Sequence, residues 1–233
     1  MLLTTFTLVL EPVNPLQFSI AELRSYFTGT LGEYTALHKN TSDGFLHRYP
    51  ALQCKQLKNS LMVIGICQGA AFLESLVNEH KEIAPGKHAC TILSRDPVIR
   101  EAEFGVGDTP LMYEILTPWL ALNQQNNRKF YDLKGKPQRD AFMHKILIEN
   151  LRVLTKSLDY TLSAPITCDA RLKFRIDRIE RENVIVFLGK FRTNLRIPDY
   201  FGMGQAVSQG FGTIRSMHDP VPDDGLQPPY TPD

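Results

Sequence analysis

The sequence predicts an α+β chain made of two β-α-β-β-α-β units in tandem. Two observations carry this. Over residues 2–104, strand-like runs rich in β-branched and aromatic residues alternate with helix-spaced apolar stripes in that order. Then Gly105 to Pro110 gathers Gly, Gly, Asp and Pro at a predicted domain boundary, after which a second set of strands and one long helix begins.

Leu2 to Leu10 reads as a buried strand, which Pro12 and Pro15 end. Ser19 with Glu22 three residues later is a capping-box signature, and Ile20, Leu23, Phe27 and Leu31 follow at helical spacing. Ala51 to Lys58 and Ser60 to Gly65 flank a Lys-Asn turn and predict a hairpin. Gln68 to His80 carries Ala71, Leu73, Leu76 and Val77 as a helical stripe, and Ala89 to Phe104 is strand-like with a break near Asp96-Pro97. In the second half Leu111 to Leu122 predicts a strand and Gln138 to Leu158 a long amphipathic helix with Phe142, Ile146, Leu147, Leu151 and Leu154 on one stripe. Arg171 to Ile179 with Val184 to Leu195 predicts a long hairpin, and Thr213 to Met217 a closing strand. Both halves therefore read as ferredoxin-like units of the kind found in RNA-recognition folds, the second with a shortened second helix. The expected divisions are 1–106, 107–218 and a tail at 219–233. That tail holds five prolines and four aspartates with little to bury, and it is expected to be disordered.

The whole chain carries a formal net charge of +1, with 26 Lys and Arg against 25 Asp and Glu, so bulk composition does not announce a polyanion partner. The distribution does. From Arg152 to Arg196 there are ten basic residues against five acidic ones, while the stretch after Arg215 has four aspartates and no Lys or Arg. The four cysteines (54, 67, 90 and 168) show no Cys-X2-Cys spacing and read as reduced thiols. Met1 to Leu10 is too short for a membrane span and lacks a basic leader. The expectation is a cytoplasmic protein with no membrane partner.

Gly202-Met203-Gly204 and Gly210-Phe211-Gly212 bracket Gln205-Ala206-Val207-Ser208-Gln209 and lead into a β-prone segment with Arg215. Glycine reaches φ > 0 at low cost and lets a backbone press against a ligand, so the doubled pair reads as a phosphate-holding loop. It lacks the Gly-Lys-Ser/Thr of a Walker loop and the strand-to-helix setting of a dinucleotide fingerprint. Arg171, Lys173 and Arg175 sit two apart, which on a strand puts them on one face, with Lys190, Arg192 and Arg196 on the partner strand. A basic hairpin of this kind suits RNA phosphates. Phe130-Tyr131 and Lys134-Gly135-Lys136 add a further basic loop, and Trp119 after Pro118 reads as a core residue.

Gly-X-Gly-X5-Gly-Phe-Gly near the C-terminus resembles the glycine-rich signature of the CRISPR-associated endoribonuclease family that trims precursor CRISPR RNA at each repeat. This family belongs to the repeat-associated RNA-binding superfamily. Leu116-Thr117-Pro118-Trp119-Leu120-Ala121-Leu122-Asn123 and Ile197-Pro198-Asp199-Tyr200 look like segments of one subgroup, and the match covers most of residues 1–217. The resemblance implies repeat RNA as partner and leaves open whether the protein acts alone, as a homodimer or within a multisubunit effector complex.

RNA is cut without metal when a base removes the 2′-hydroxyl proton and an acid protonates the leaving 5′ oxygen, and histidine suits both tasks. Of the six histidines, His38 and His47 lie between the first helix and the first hairpin. In the resembled family a histidine at or after the end of the first helix serves as acid or base, which matches His38 by position. Asn40 stands where some members carry a second histidine, which leaves His47 for that part. Tyr49 is the candidate for orienting the scissile nucleotide and Lys39 for countering charge on the phosphate. RNA contact is assigned to Gly202, Gly204, Gly210, Gly212, Arg215, Arg171, Lys173, Arg175, Lys190 and Arg192. His144 reads as a packing or surface residue. No cofactor or metal is expected, since no histidine or cysteine pair has ligand spacing. Two other readings stand beside the ribonuclease: a non-catalytic RNA-binding subunit of a CRISPR ribonucleoprotein, and a ferredoxin-like scaffold for protein interactions.

Overall fold

The computed structural model describes residues 1–12, 19–29, 50–57, 60–79, 82–83, 90–92, 98–179 and 181–217. By packing the chain forms two units. One comprises Leu3–Ala102 and Ser208–Gly210, and the other Met1–Leu2, Glu103–Val207 and residues from Phe211 on.

In the N-terminal unit β1 (Leu2–Pro12) leads to α1 (Ile20–Gly29). The predicted capping box forms: the Glu22 amide donates to Ser19 Oγ at 3.2 Å, and the Ser19 amide donates to Glu22 Oε2 at 3.0 Å. β2 (Leu52–Leu57) and β3 (Ser60–Ile66) pair as the expected hairpin, followed by α2 (Gln68–Glu79), β4 (Glu82–Ile83), β5 (Cys90–Ile92) and β6 (Val98–Glu103). The sheet order is β2-β3-β1-β5-β4, with β6 also paired to β1. This is the ferredoxin-like arrangement, with β5 and β6 both paired to β1; Asp96-Pro97, where a break was expected, lies outside the described residues. Alternation puts Phe6, Leu8, Leu10, Cys54, Leu61 and Val63 on one buried side. There they meet Leu23 and Phe27 of α1 and Ala70, Leu73 and Leu76 of α2. Each such large side chain contributes roughly 1.5–3 kcal/mol by leaving water.

The C-terminal unit contains β7 (Gly105–Trp119), α3 (Gln124–Asp132), α4 (Lys136–Ser157), β8 (Cys168–Ile179), β9 (Glu182–Arg196) and β10 (Ile214–Ser216); between β9 and β10 in the chain comes a 3₁₀ turn at Val207–Gln209, whose Ser208 and Gln209 belong to the other unit. Its sheet runs β10-β7-β9-β8, antiparallel throughout, the ferredoxin-like order with the 3₁₀ turn in place of the second helix. The expected loop at Gly105 to Pro110 is instead the first part of β7. Its irregularity is absorbed as a register shift between Val106 and Leu111, and the division between units falls at Ala102/Glu103. Helix α3 was not foreseen. Its polar sequence has no apolar stripe, but Asn123 caps it by accepting the Asn126 amide at 2.8 Å. Trp119, Phe130, Phe187, Leu147, Leu151 and Leu154 form the buried centre, with Trp119 fully enclosed as expected.

Candidate nucleic-acid interface

Residues directly opposite in an antiparallel pair point to the same face. Arg171 stands opposite Lys190, Asp169 opposite Arg192, and Arg175 opposite Val186 across β8 and β9. Lys190 and Arg192 stand opposite Glu114 and Met112 of β7, and Glu114 stands opposite Arg215 of β10. The register therefore gathers Arg171, Lys173, Arg175, Lys190, Arg192 and Arg215 on one sheet face, all exposed except the half-buried Arg215. Asp169, Asp177, Glu182 and Glu114 are carboxylates on that face, and Arg175 is held by Asp177 with Nε at 2.8 Å from Oδ1. Arg171 directly opposite Lys190 is a like-charge pair, which weakens a sheet unless an anion lies over it. Arg196 does not join this set as a free cation, because Nη1 bonds the Glu103 carboxylate.

The glycine segment folds back on itself. Gly202 bridges Thr213, the Met203 amide donates to Gly212 O at 3.0 Å, and the Ile214 amide donates to Phe201 O at 3.0 Å. It is fastened to the end of β7 and the residues just after it. The Gly212 amide donates to Pro118 O at 2.9 Å, the Gln205 amide to Leu120 O at 3.0 Å, and the Thr213 amide to Thr117 Oγ1 at 2.9 Å. The Leu116–Asn123 segment noted in the sequence thus supplies the acceptors on which this loop rests. Gly204 (φ +87°) needs its lack of a Cβ for two reasons: an added Cβ would stand 2.7 Å from Leu120 O, and it would collide with the Trp119 ring. Gly212 (φ +63°) lies against the Met203 backbone, where a Cβ would overlap the carbonyl.

The loop was expected to offer a row of amides to phosphate. Instead, the amides of Met203, Gln205, Gly212, Thr213 and Ile214 are taken by the protein's own acceptors. What this segment shows to solvent is the side chains of Gln205 and Gln209, with Ser208 half-buried. Neither glutamine was singled out in the sequence, where the glycines drew the attention.

Ser208–Gly210 pack with the N-terminal unit. A Cβ on Gly210 would lie 3.2 Å from Cys54 O and 3.4 Å from Lys55 Cα of β2. Lys55 is a second residue that sequence reasoning missed. Its side chain is fully buried, with Nζ donating to Gln53 Oε1 at 2.8 Å, and burial pulls its pKa down from 10.5 to about 7. A buried, perturbed amine of this kind marks a functional-site candidate. Nothing in Leu52-Gln53-Cys54-Lys55-Gln56-Leu57 signals it, since Lys at an alternate strand position reads as solvent-facing.

His38, Lys39, His47 and Tyr49 lie outside the described residues, as do His80, His88, His218 and the tail from 219. His144 packs as expected: half-buried on α4, its Nε2 is 2.7 Å from Cys168 O. Cys54, Cys67 and Cys168 are free thiols, and burial raises Cys54 and Cys168 to about 12. No helix among the described residues is long and apolar enough to cross a membrane.

Fold and site together define a tandem ferredoxin-like protein with a glycine-rich closing loop and one cation-rich sheet face. The Cas6b N-terminal domain model matches residues 1–103 and the Cas6b C-terminal domain model matches residues 105–217. The chain belongs to the Cas6b family. It is similar to a crystal structure of Cas6b at 29% identity and TM-score 0.77, over 93% of this chain and 100% of that one. It is also similar to a structure of the CRISPR RNA processing endoribonuclease Cas6b, at 28% identity and TM-score 0.69, over 91% and 99% of the two chains. Among curated proteins it is 31% identical, over 125 residues, to the uncharacterized protein MJ0978 of Methanocaldococcus jannaschii. That stretch is 50% of this chain and 79% of the relative.

Proposed function

We propose that this chain is an endoribonuclease that binds CRISPR repeat RNA and cleaves the precursor to give guide RNAs. The observation that carries the binding half is the sheet face on which Arg171, Lys173, Arg175, Lys190, Arg192 and Arg215 converge, with Arg171 and Lys190 set against each other. Such a face is destabilised by its own charge and relieved by a polyanion. Membership of the Cas6b family, and likeness to an endoribonuclease that processes CRISPR RNA, support the cleaving half.

The chemistry needs no metal. A base takes the proton of a ribose 2′-hydroxyl, the 2′ oxygen attacks the adjacent phosphorus, and the P–O5′ bond breaks as an acid protonates O5′. The products are a 2′,3′-cyclic phosphate and a 5′-hydroxyl, one proton passing from O2′ to the base and one from the acid to O5′. His38 is assigned the acid–base role, with His47 as its second partner, Tyr49 orienting the nucleotide and Lys39 balancing charge on the pentacoordinate phosphate. On this reading the repeat RNA lies across the cation-rich face.

The deciding experiment is cleavage of the cognate repeat RNA in chelator, followed by end-group analysis. Cyclic phosphate and 5′-hydroxyl ends are expected. An unmodified protein that binds repeat RNA but leaves it whole would identify a non-catalytic binding subunit instead, and one that neither binds nor cuts would identify a scaffold.

A further inference from the structure

The helix-covered side of the C-terminal sheet holds a groove of about 880 Å³ between α3, α4 and β8, within the size range of small-ligand sites. Phe130 and Phe187 are buried at its base, and Phe174 of β8 forms a wall that is 47% exposed. Phe130 meets Phe174 edge-on, with centroids 5.2 Å apart and planes at 83°. The Arg139 guanidinium of α4 lies 5.3 Å from the Phe130 centroid and 5.6 Å from that of Phe174. Its Nε is buried and has no acceptor among the described residues.

Lys136 and Lys145 of α4 also line the groove, and Lys173 borders it with its side chain on the other sheet face. Of its two carboxylates, Asp140 pairs with Lys136, 2.9 Å from Nζ, and Asp169 projects to the other sheet face, opposite Arg192. Arg139, Lys145 and Lys173 have no ion-pair partner among the described residues. An exposed aromatic wall among unneutralised cations is the combination that holds single-stranded nucleic acid, one component taking the base and the other the phosphate.

We propose that this groove binds an unpaired nucleotide of RNA, its base against Phe174 and Arg139 and its phosphate against Lys145. The site rests on the reading of the chain as an RNA-binding protein and lies on the opposite side of the sheet from the basic face. Strand alternation joins the two. Lys173 and Phe174 are neighbours in sequence, they project to opposite faces, and β8 is the last strand of its sheet. An RNA strand leaving the basic face and crossing the outer edge of β8 therefore arrives at Phe174.

The test uses the full chain and a single-stranded hexanucleotide carrying 2-aminopurine. Stacking quenches this probe, and titration gives its affinity. Phe174→Ala is expected to abolish the quenching and weaken binding about tenfold or more, with the salt dependence unchanged, since stacking releases no counterion. Phe174→Trp is expected to restore both. Lys145→Gln, at an exposed helix position that cannot threaten folding, is expected to lower the slope of log affinity against log salt by about 0.7. Phe174→Ala and Lys145→Gln variants that bind and quench as the unmodified protein does would overturn the site while leaving repeat-RNA cleavage intact. An unmodified protein that neither binds nor cleaves repeat RNA overturns the ribonuclease reading itself.

Discussion

Replacing Lys55 with methionine should change how stability depends on pH. Lys55 is fully buried, its ammonium faces one amide oxygen, and its pKa falls from 10.5 to about 7. At 1.36 kcal/mol per unit, the folded state disfavours the charged amine by about 5 kcal/mol. The folded pKa lies below the unfolded one, so between pH 7 and 10.5 the unfolded chain holds more protons and stability rises with pH. Below pH 7 both states are protonated and the whole penalty stands. Across pH 7 to 9 this one group contributes a gain of about 2 kcal/mol. Lys55→Met removes the charge at similar volume but leaves Gln53 Oε1 without its donor, at roughly 1–3 kcal/mol. The variant should therefore be about 2 kcal/mol more stable than the unmodified protein at pH 7, with the difference closing by pH 9. Urea unfolding followed by far-ultraviolet circular dichroism at pH 7, 8 and 9 reads both quantities. Neighbouring Cys54 is common to both proteins and largely cancels in the comparison. Parallel stability curves over that range would show that Lys55 carries no buried-amine penalty.

His38→Ala should abolish cleavage of repeat RNA while leaving its dissociation constant within a few-fold, as measured by denaturing gel and filter binding. Removing Arg171 and Lys190 together should reduce the slope of log affinity against log salt by about 1.4 to 1.8, and an unchanged slope would remove the sheet face from the RNA site. Gly212→Ala should cost about 2 kcal/mol or more in thermal or urea unfolding, from the left-handed φ and the clash with Met203. Tyr113→Phe should cost about 1–3 kcal/mol, since the buried hydroxyl is 2.8 Å from the Ile197 amide that donates to it, and its loss leaves that amide unsatisfied.

The elements that could be read from the sequence are those whose burial is periodic or unbroken. β1 and α4 carry apolar residues at the spacing their structures require, β3 is a continuous buried run, and Ser19 with Glu22 marked the start of α1 correctly. Helix α3 escaped because one cap and the docking of Phe130 hold it, not an apolar stripe. Gly105 to Pro110 was read as a boundary between domains because glycine and proline punctuate loops, whereas β7, set between β10 and β9, tolerates them at a register slip. The cations of β8 and β9 were legible because alternation fixes their face, and the pairing with Arg215 came only from the register of β10. Lys55 was invisible for a general reason: whether a strand's second face is covered depends on tertiary packing, which no local pattern records. For the same reason the glycines of the closing loop were noticed for their conformational freedom, while the acceptors at Pro118 and Leu120 that fix the loop were not.

That fastening separates frame from readout in the closing loop. Since the amides of Met203, Gln205 and Gly212 already bond the protein's own carbonyls, and a side chain at Gly204 or Gly212 would overlap its neighbours, neither can be retuned without loosening the fold. Gln205 and Gln209 carry no such duty, so a change of ligand preference in this part of the molecule has two side chains through which to act and a scaffold that need not answer to it.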